Sequence, residues 1–441
     1  MIYKMDGFKS SLFNTFGVIN DKYIIANTFT GAIIIVDSNG FHAAHLLFEN
    51  PNFTEDHKNE KLVKFLLENG YIIKKEVDEF DLLEKRFQKS RIGENILGIA
   101  IAVTLDCNFN CCYCYENKKS IYFLPDTQTK LFSFLKRELY ARKELQVVWW
   151  GGEPLLNIEL IEELTYKIVE LCKSLHIKYS ASIVTNGYLL DESRSDILHR
   201  CYVNTIQITI DGDPESHNNR RKLKDKGDTF FQIINNLLNN CKHFEKIIIR
   251  INADKNNVNG INKILEFLEP VKQNIMLCLR PTTAPNVNVH PCWLLTGEEF
   301  VNYEKDFFIL AYQRGFKILF GINEPGTAFC NGYQYNNSFI IDPLGNVQIC
   351  PVFTGDYKER YGYLKDDGKI ELNANGEQFK WRLRDNPFIA SECLNCHALP
   401  ICMGGCLLAK NRTIKCLLKF NTAEKLFLRV IRDKKRDTCV I

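Results

Sequence analysis

The chain has 441 residues and a mass of 51.1 kDa, with 45% hydrophobic and 25% charged residues, which excludes a disordered or fibrous protein. That length implies two or three modules rather than one small core. A net charge of +3 gives no reason to expect a nucleic-acid partner. The N-terminus MIYKMDGFKS lacks an apolar signal core and no run of eighteen apolar residues is present, so a soluble, cytoplasmic protein without membrane contact is expected.

Residues 1–90 read as a small α+β module. Tyr23–Asn27 and Ala32–Val36 are β-rich runs joined across Thr28–Gly31, the pattern of a hairpin. Helical patterns follow at 39–49 and 59–69, the second stopped by Gly70, then a strand at Tyr71–Val77 and an acidic helix from Asp78. Hairpin plus helices is similar to a winged helix-turn-helix. A DNA-reading role conflicts with the charge, because 11 Lys/Arg stand against 13 Asp/Glu, a net −2, over these residues.

Residues 91–280 alternate strand and helix. Strands are expected at Leu97–Thr104, Gln146–Trp150, Tyr179–Val184, Thr205–Ile210, Lys246–Ile251 and Asn274–Leu279, with helices near 126–142, 156–174, 190–200, 229–241 and 257–268. Such repetition implies a parallel sheet, open or curled into a barrel, with its functional groups at the C-terminal ends of the strands. Residues 281–327 read as a connector with a helix near 297–313, residues 328–420 as a Cys- and Gly-punctuated domain, and 421–441 as a basic helical tail presenting a solvated face.

Seventeen cysteines in a chain with no export signal point to metal rather than disulfides, and they gather at 107–114 and 330–416. Cys107, Cys111 and Cys114 form C-x3-C-x2-C, with Cys112 a bystander to that spacing. A structural zinc wants four ligands, whereas iron–sulfur cubes are held by thiolates from such short loops. Three thiolates leave one iron of a four-iron cube open to chelate an amino-carboxylate. This loop after a first strand resembles the radical S-adenosylmethionine (SAM) enzymes. Gly151-Gly152-Glu153-Pro154 looks like that family's GGEP, which binds the methionine amino group, and Thr185-Asn186-Gly187 and Ile210-Asp211-Gly212 match its later-strand signatures. The resemblance implies a partial (β/α)6 barrel of the TIM type, with adenine packed at Tyr113, and Ser182, Arg194 and Ile248 lining the SAM site. His217 is equally consistent with a surface residue and a site group.

The second group runs from Cys330 through fourteen residues to Gly345, then four more to Cys350, and continues as Cys393-x2-Cys396-x5-Cys402-x3-Cys406 with Cys416 after a gap. It resembles the SPASM domain, whose members usually carry two auxiliary [4Fe–4S] clusters. The resemblance implies a distal cluster on Cys393, Cys396, Cys402 and Cys416 and a proximal one on Cys330, Cys350 and Cys406, three cubes in all with the SAM-binding one. The proximal set is one ligand short: a remote thiol such as Cys292 fills it, or one iron is open. Cys172, Cys201, Cys241 and Cys278 read as small core residues and Cys439 as a tail thiol.

In this context the N-terminal module resembles the recognition elements that bind leader peptides of ribosomally made precursors, adding the leader as a strand near Ala32–Val36 or its hairpin partner. The resulting expectation is a SAM-dependent, peptide-modifying oxidoreductase that installs a thioether or carbon–carbon crosslink, reduced by a flavodoxin or ferredoxin. The alternative is an anaerobic sulfatase-maturing, formylglycine-forming enzyme. That type has an aspartate base where Pro351 stands here. No catalytic base is assigned. A short Cys-rich peptide in a neighbouring open reading frame favours the first reading and a sulfatase the second.

Overall fold

The computed structural model describes residues 7–19, 21–50, 60–92, 95–116, 118–283, 291–320, 322, 324–327, 330, 337–376, 378–380, 387–406, 416–417, 421–433 and 439–440. The expected Asn/Val run between Pro285 and Pro291 falls largely outside them. Two compact units are formed: Met1–Arg91 with Phe320–Cys330 and Asp385–Ile441, and Ile92–Leu319 with Asn331–Arg384.

The first unit begins with β1 (Phe8–Ser10), β2 (Asn14–Ile19), β3 (Lys22–Asn27), β4 (Ile33–Val36), α1 (Ser38–Glu49), α2 (Glu60–Glu68), β5 (Ile72–Lys74) and α3 (Glu79–Ile92). The β3–β4 hairpin forms where the β-branched runs placed it, with Tyr23 opposite Val36 and Ala26 opposite Ile33. Its turn is fixed by Asn27, whose side-chain oxygen accepts the Phe29 and Thr30 amides at 3.0 and 2.9 Å. Gly31 supplies the left-handed φ of 75° that closes it. Asp37 caps α1 by accepting the Gly40 amide at 2.7 Å. Ile25, Ile34, Val36, Ala44, Leu47, Leu66 and Tyr71 form the core between this sheet and its helices. The module is α+β as expected, and its likeness to a winged helix-turn-helix rests on element order alone.

The second unit is a βα series: β6 (Ile96–Thr104), α4 (Pro125–Glu138), β7 (Glu144–Gly151), α5 (Ile158–Ser174), β8 (Lys178–Thr185), α6 (Glu192–Arg200), β9 (Val203–Thr209), α7 (Pro214–Arg220), α8 (Phe230–Asn240), β10 (Lys246–Ala253), α9 (Val258–Ile261), α10 (Ile264–Leu268), β11 (Ile275–Pro281), α11 (Gly297–Gln313) and β12 (Lys317–Ile318). Strands β6 to β12 lie side by side in chain order and parallel. Their runs of Ile, Val and Leu suit strands covered on both faces. β13 (Ser338–Ile341) then pairs parallel with β6 and opens an antiparallel meander of β14 (Asn346–Gln348), β15 (Gly362–Leu364) and β16 (Ile370–Leu372).

Two expected stretches are arranged differently. The stretch 281–327 is more than a connector: Phe300, Val301, Phe307 and Phe308 bury one face of α11, and β12 joins the large sheet beside β11. The 328–420 stretch is divided, because β13 satisfies the free edge of β6 while the described part of 385–420 belongs to the first unit. There it forms α12 (Ser391–Leu394) and α13 (Leu399–Cys402), and Phe388 packs on Phe87 at 5.8 Å. The tail carries α14 (Thr422–Asp433) and β17 (Cys439–Val440). One face of α14 buries Ala423, Leu426 and Leu428. No helix among the described residues is long and apolar enough to cross a membrane.

Candidate active site

Of the expected site residues, Cys107, Cys111, Tyr113, Cys114, Gly151, Gly152, Glu153, Thr185, Asn186 and Asp211 collect where β6 to β9 end, whereas Ser182 and Ile248 lie within strands and Arg194 lies in α6. The loop after β6 is stitched by its own polar groups: Asp106 N–H donates to Thr104 Oγ1 at 3.0 Å, and Cys107 N–H to Asp106 Oδ1 at 2.8 Å. The stretch after α7 then holds the loop from outside, Asn110 and Cys112 donating their amides to the Lys222 and Arg220 carbonyls at 2.8 and 3.0 Å. Cys107 is buried and Cys111 and Cys114 half-buried. Burial pushes the Cys107 thiol up to about 12 and the Cys114 thiol to about 11, and both feel Cys111. Burial likewise raises the Cys112 thiol, which feels Arg220, Asp254 and also Cys111.

Gly151 and Gly152 end β7 against this loop. Gly151 has φ 125°, and a Cβ there would overlap the Thr104 carbonyl oxygen; at Gly152 it would overlap that of Asp106. Only glycine lets the two strand ends approach so closely. Glu153 is fully buried, and its carboxylate accepts Thr185 Oγ1, the Asn186 amide and the Leu155 amide at 2.6, 2.7 and 3.0 Å. Its side chain therefore fastens the end of β7 to that of β8, and the part left for a ligand is backbone. Asn186 continues the bridge by donating to Asn108 Oδ1 at 2.8 Å.

Tyr113 and Asp211 meet directly. The Tyr113 hydroxyl donates to Asp211 Oδ2 and accepts from Arg221 Nη1 at 2.7 Å, while Arg220 lies 4.8 Å over the ring. Burial alone would raise the Asp211 carboxyl, but Arg220, Arg221, Tyr113 and the Asn252 amide together hold it below the usual range. Arg220 also pairs with Asp254 at 2.5 Å. His217 is neither a surface residue nor a ligand-facing group: it is buried, its Nδ1 accepting the Asp211 amide at 3.1 Å. Thr229 spends its proton on the Arg221 carbonyl, so His217 donates from Nε2 and is neutral. Arg194 sits in the first turn of α6 bound to Asp191 at 2.5 Å, and Ser182 and Ile248 stand half-buried in β8 and β10.

A cavity of about 400 Å³ opens beside the loop. Asn110, Cys111, Cys114, Tyr115, Glu116 and Lys118 line one side, and Val352, Phe353, Thr354 and Asp356, just after Cys350, the other. Loss of solvent pushes the Glu116 carboxyl up to about 8, Lys118 opposing it. Gln378, buried, accepts the Ile349 and Cys350 amides at 2.8 and 3.1 Å and so fixes the backbone at Cys350. In the first unit, the Cys402 thiol is pushed up to about 12 by burial and by Cys416, Cys396 and Cys393, which places those four sulfurs in one neighbourhood. Cys172, Cys201 and Cys278 are buried as expected.

The donor chemistry fits thiolate-held clusters. Among the described residues no three His, Cys, Asp or Glu side chains converge tightly enough for a single metal ion. Buried Arg221, beside Cys111, has an Nε–H without a partner among the described residues, a cationic donor free for an anionic group. Sequence reasoning missed Arg220, Arg221, Asn252, Asp254, Glu116 and Gln378. The position of Asn252 and Asp254 at the end of a predicted strand was the one available signal.

Residues 101–268, from β6 to the end of α10, match the model of the Radical SAM superfamily, and this part of the chain is a radical SAM domain. The radical SAM cyclopropyl synthase TigE of Paramaledivibacter caminithermalis is 25% identical over 437 residues, 88% of this chain and 83% of that protein. The cysteine-type anaerobic sulfatase-maturating enzyme of Clostridium novyi is 27% identical over 328 residues, 68% of this chain and 85% of that protein. Among solved structures, native anSMEcpe with bound AdoMet shares the fold with a TM-score of 0.60 at 20% identity, covering 77% of this chain and 100% of that one. Streptococcus suis SuiB bound to precursor peptide SuiA does so at 0.52 and 16% identity, covering 91% and 96%.

Proposed function

We propose that this chain is a radical SAM maturase that installs a thioether or carbon–carbon crosslink in a ribosomally made precursor peptide, whose leader its N-terminal module binds. The observation that carries the reading is the cavity in which Cys111 and Cys114 face the segment after Cys350. The extent of the likeness to TigE, most of both chains, and the peptide-bound SuiB fold support it.

Cys107, Cys111 and Cys114 would hold one [4Fe–4S] cluster. The backbone at Gly151 and Gly152, with Tyr113, Ser182, Thr185, Asn186, Arg194, Asp211 and Ile248, would surround SAM, while Glu153 keeps the two strand ends together. When bound, the cluster and SAM supply one-electron cleavage chemistry that yields a hydrogen-abstracting carbon radical. The chain's own residues do the rest. Tyr113 is held rigidly by Asp211 and Arg221. Val352 and Phe353 add apolar surface to a cavity otherwise lined mainly by polar groups. Glu116 lines the same cavity, its carboxyl pushed up by burial. Cys393, Cys396, Cys402 and Cys416 would hold a distal auxiliary cluster and Cys330, Cys350 and Cys406 a proximal one, with a flavodoxin or ferredoxin as reductant.

Iron and sulfide content after anaerobic reconstitution tests the assignment: about twelve irons per chain should fall to about eight in the Cys107/Cys111/Cys114→Ala variant. An unchanged iron content would sink it. The second reading, formylglycine formation, has the Clostridium novyi relative in its favour and Pro351 against it. Mass spectrometry of the product separates them, since a crosslink removes two hydrogens and formylglycine formation removes the sulfur of a cysteine.

A further inference from the structure

The four-stranded mixed sheet of the first unit has the order β17-β4-β3-β2, so the edge at which an extended peptide would be added is already taken. β17 runs parallel to β4, Cys439 opposite Ile34 and Val440 opposite Ile35. The other edge also has company from the same segment. Glu424 of α14 accepts the Val18 amide of β2 at 3.3 Å, and its carboxyl occupies the space where Gly17 has no Cβ. Cys439 was expected in a free tail, yet its backbone is a strand.

β4 reads Ile-Ile-Ile-Val, with no charge, proline or bulge. Such an edge pairs readily with any extended chain, and folded proteins cover it or blunt it. Among the described residues two residue pairs do the covering, few enough to be exchanged for a longer partner. The preceding residues Lys434, Lys435, Arg436 and Asp437 are charged, so the apolar stretch of this tail is confined to the paired end.

We propose that β17 is a built-in stand-in for the substrate peptide, occupying the β4 edge until an extended segment displaces it. The proposal rests on the reading of the N-terminal module as peptide-binding. The displacing segment is extended, has apolar side chains at alternate positions to continue the row of Ile34 and Val36, and has no proline where it pairs. An edge open a tenth of the time weakens the apparent affinity about tenfold, so loss of β17 should restore roughly that factor.

Amide hydrogen exchange reads the edge directly. The full chain, a chain lacking residues 434–441 and a Val440→Pro variant are compared, with β3 amides as the control for an intact fold. Exchange of those Ile33–Val36 amides that point toward β17 should be about tenfold faster in both variants, while those paired with β3 stay unchanged, and a synthetic peptide of residues 434–441 added to the shortened chain should slow it again. Unchanged exchange in Val440→Pro with β3 intact would overturn the proposal, even if the shortened chain fails to fold. A labelled synthetic peptide from a neighbouring short open reading frame then tests displacement. Binding about tenfold tighter to the variants supports it, and equal binding overturns it. If that peptide binds none of the chains, the peptide-binding reading fails, and the exchange data alone decide whether β17 caps the sheet.

Discussion

His217 has a neutral ring with each nitrogen engaged, one by the Asp211 amide and one by Thr229. Burial, with Arg221 and Arg220 adding to it, pushes its pKa down to about 3 from 6.5. The unfolded chain therefore binds a proton that the folded one refuses. The associated stability is complete above pH 6.5 and is lost as pH falls toward 3. The slope is about 1.4 kcal/mol per pH unit. Urea titrations of His217→Gln between those limits should show a shallower pH slope than the parent. Gly152→Ala should weaken SAM binding at least about tenfold in equilibrium dialysis and cost about 1–3 kcal/mol, because its methyl meets the Asp106 carbonyl rather than a flexible side chain. Residues of this kind divide by legibility. The glycines and cysteines were visible because their chemistry is local. Arg220 and Arg221 read as ordinary solvated charges, and nothing in neighbouring sequence says that α7 and the end of β10 close over them.

At the scale of elements, β6 to β11 were legible because each is a continuous apolar run flanked by an amphipathic helix. β2 was not: Gly17 interrupts it, and Phe16 and Val18 stay partly exposed even though Phe16 packs on Phe41, His45 and Phe48 of α1, so no clean alternation marks its inward face. α7 was hidden for a related reason, since PESHNNR buries polar side chains, His217 and Arg220, instead of an apolar stripe. The return of β13 to β6 is a pairing across more than two hundred residues that periodicity cannot report. It makes β13 an interior strand, hydrogen-bonded on both sides. Ile340→Pro should therefore remove a ladder bond no water can replace, at about 1–3 kcal/mol. Limited proteolysis should show the second unit opening at lower urea while the first keeps its resistance.

The whole molecule is two units with separate cores, and the thiols of Cys393, Cys396, Cys402 and Cys416 belong to the one that also holds the N-terminal module. Metal at those thiols would add its binding free energy to that unit's stability. Cys402→Ala should lower iron content by about four per chain and, in calorimetry, lower the transition of the first unit while that of the second stays in place. The cysteine spacing was readable, but the partnership of these cysteines with the module at the other end of the sequence was not, because no spacing encodes it.

The first unit draws on residues 1–91, 320–330 and 385–441, so its two main parts are translated nearly three hundred residues apart. At about 5–20 residues per second, the early strands wait roughly 15–60 s on the ribosome before α14 and β17 exist to cover them. During that interval the Ile-Ile-Ile-Val edge is bare in a nascent chain, next to other nascent chains carrying the same edge. Overproduction should therefore yield aggregates nucleated by this early segment, and a holdase chaperone should improve recovery more than any change to the second unit.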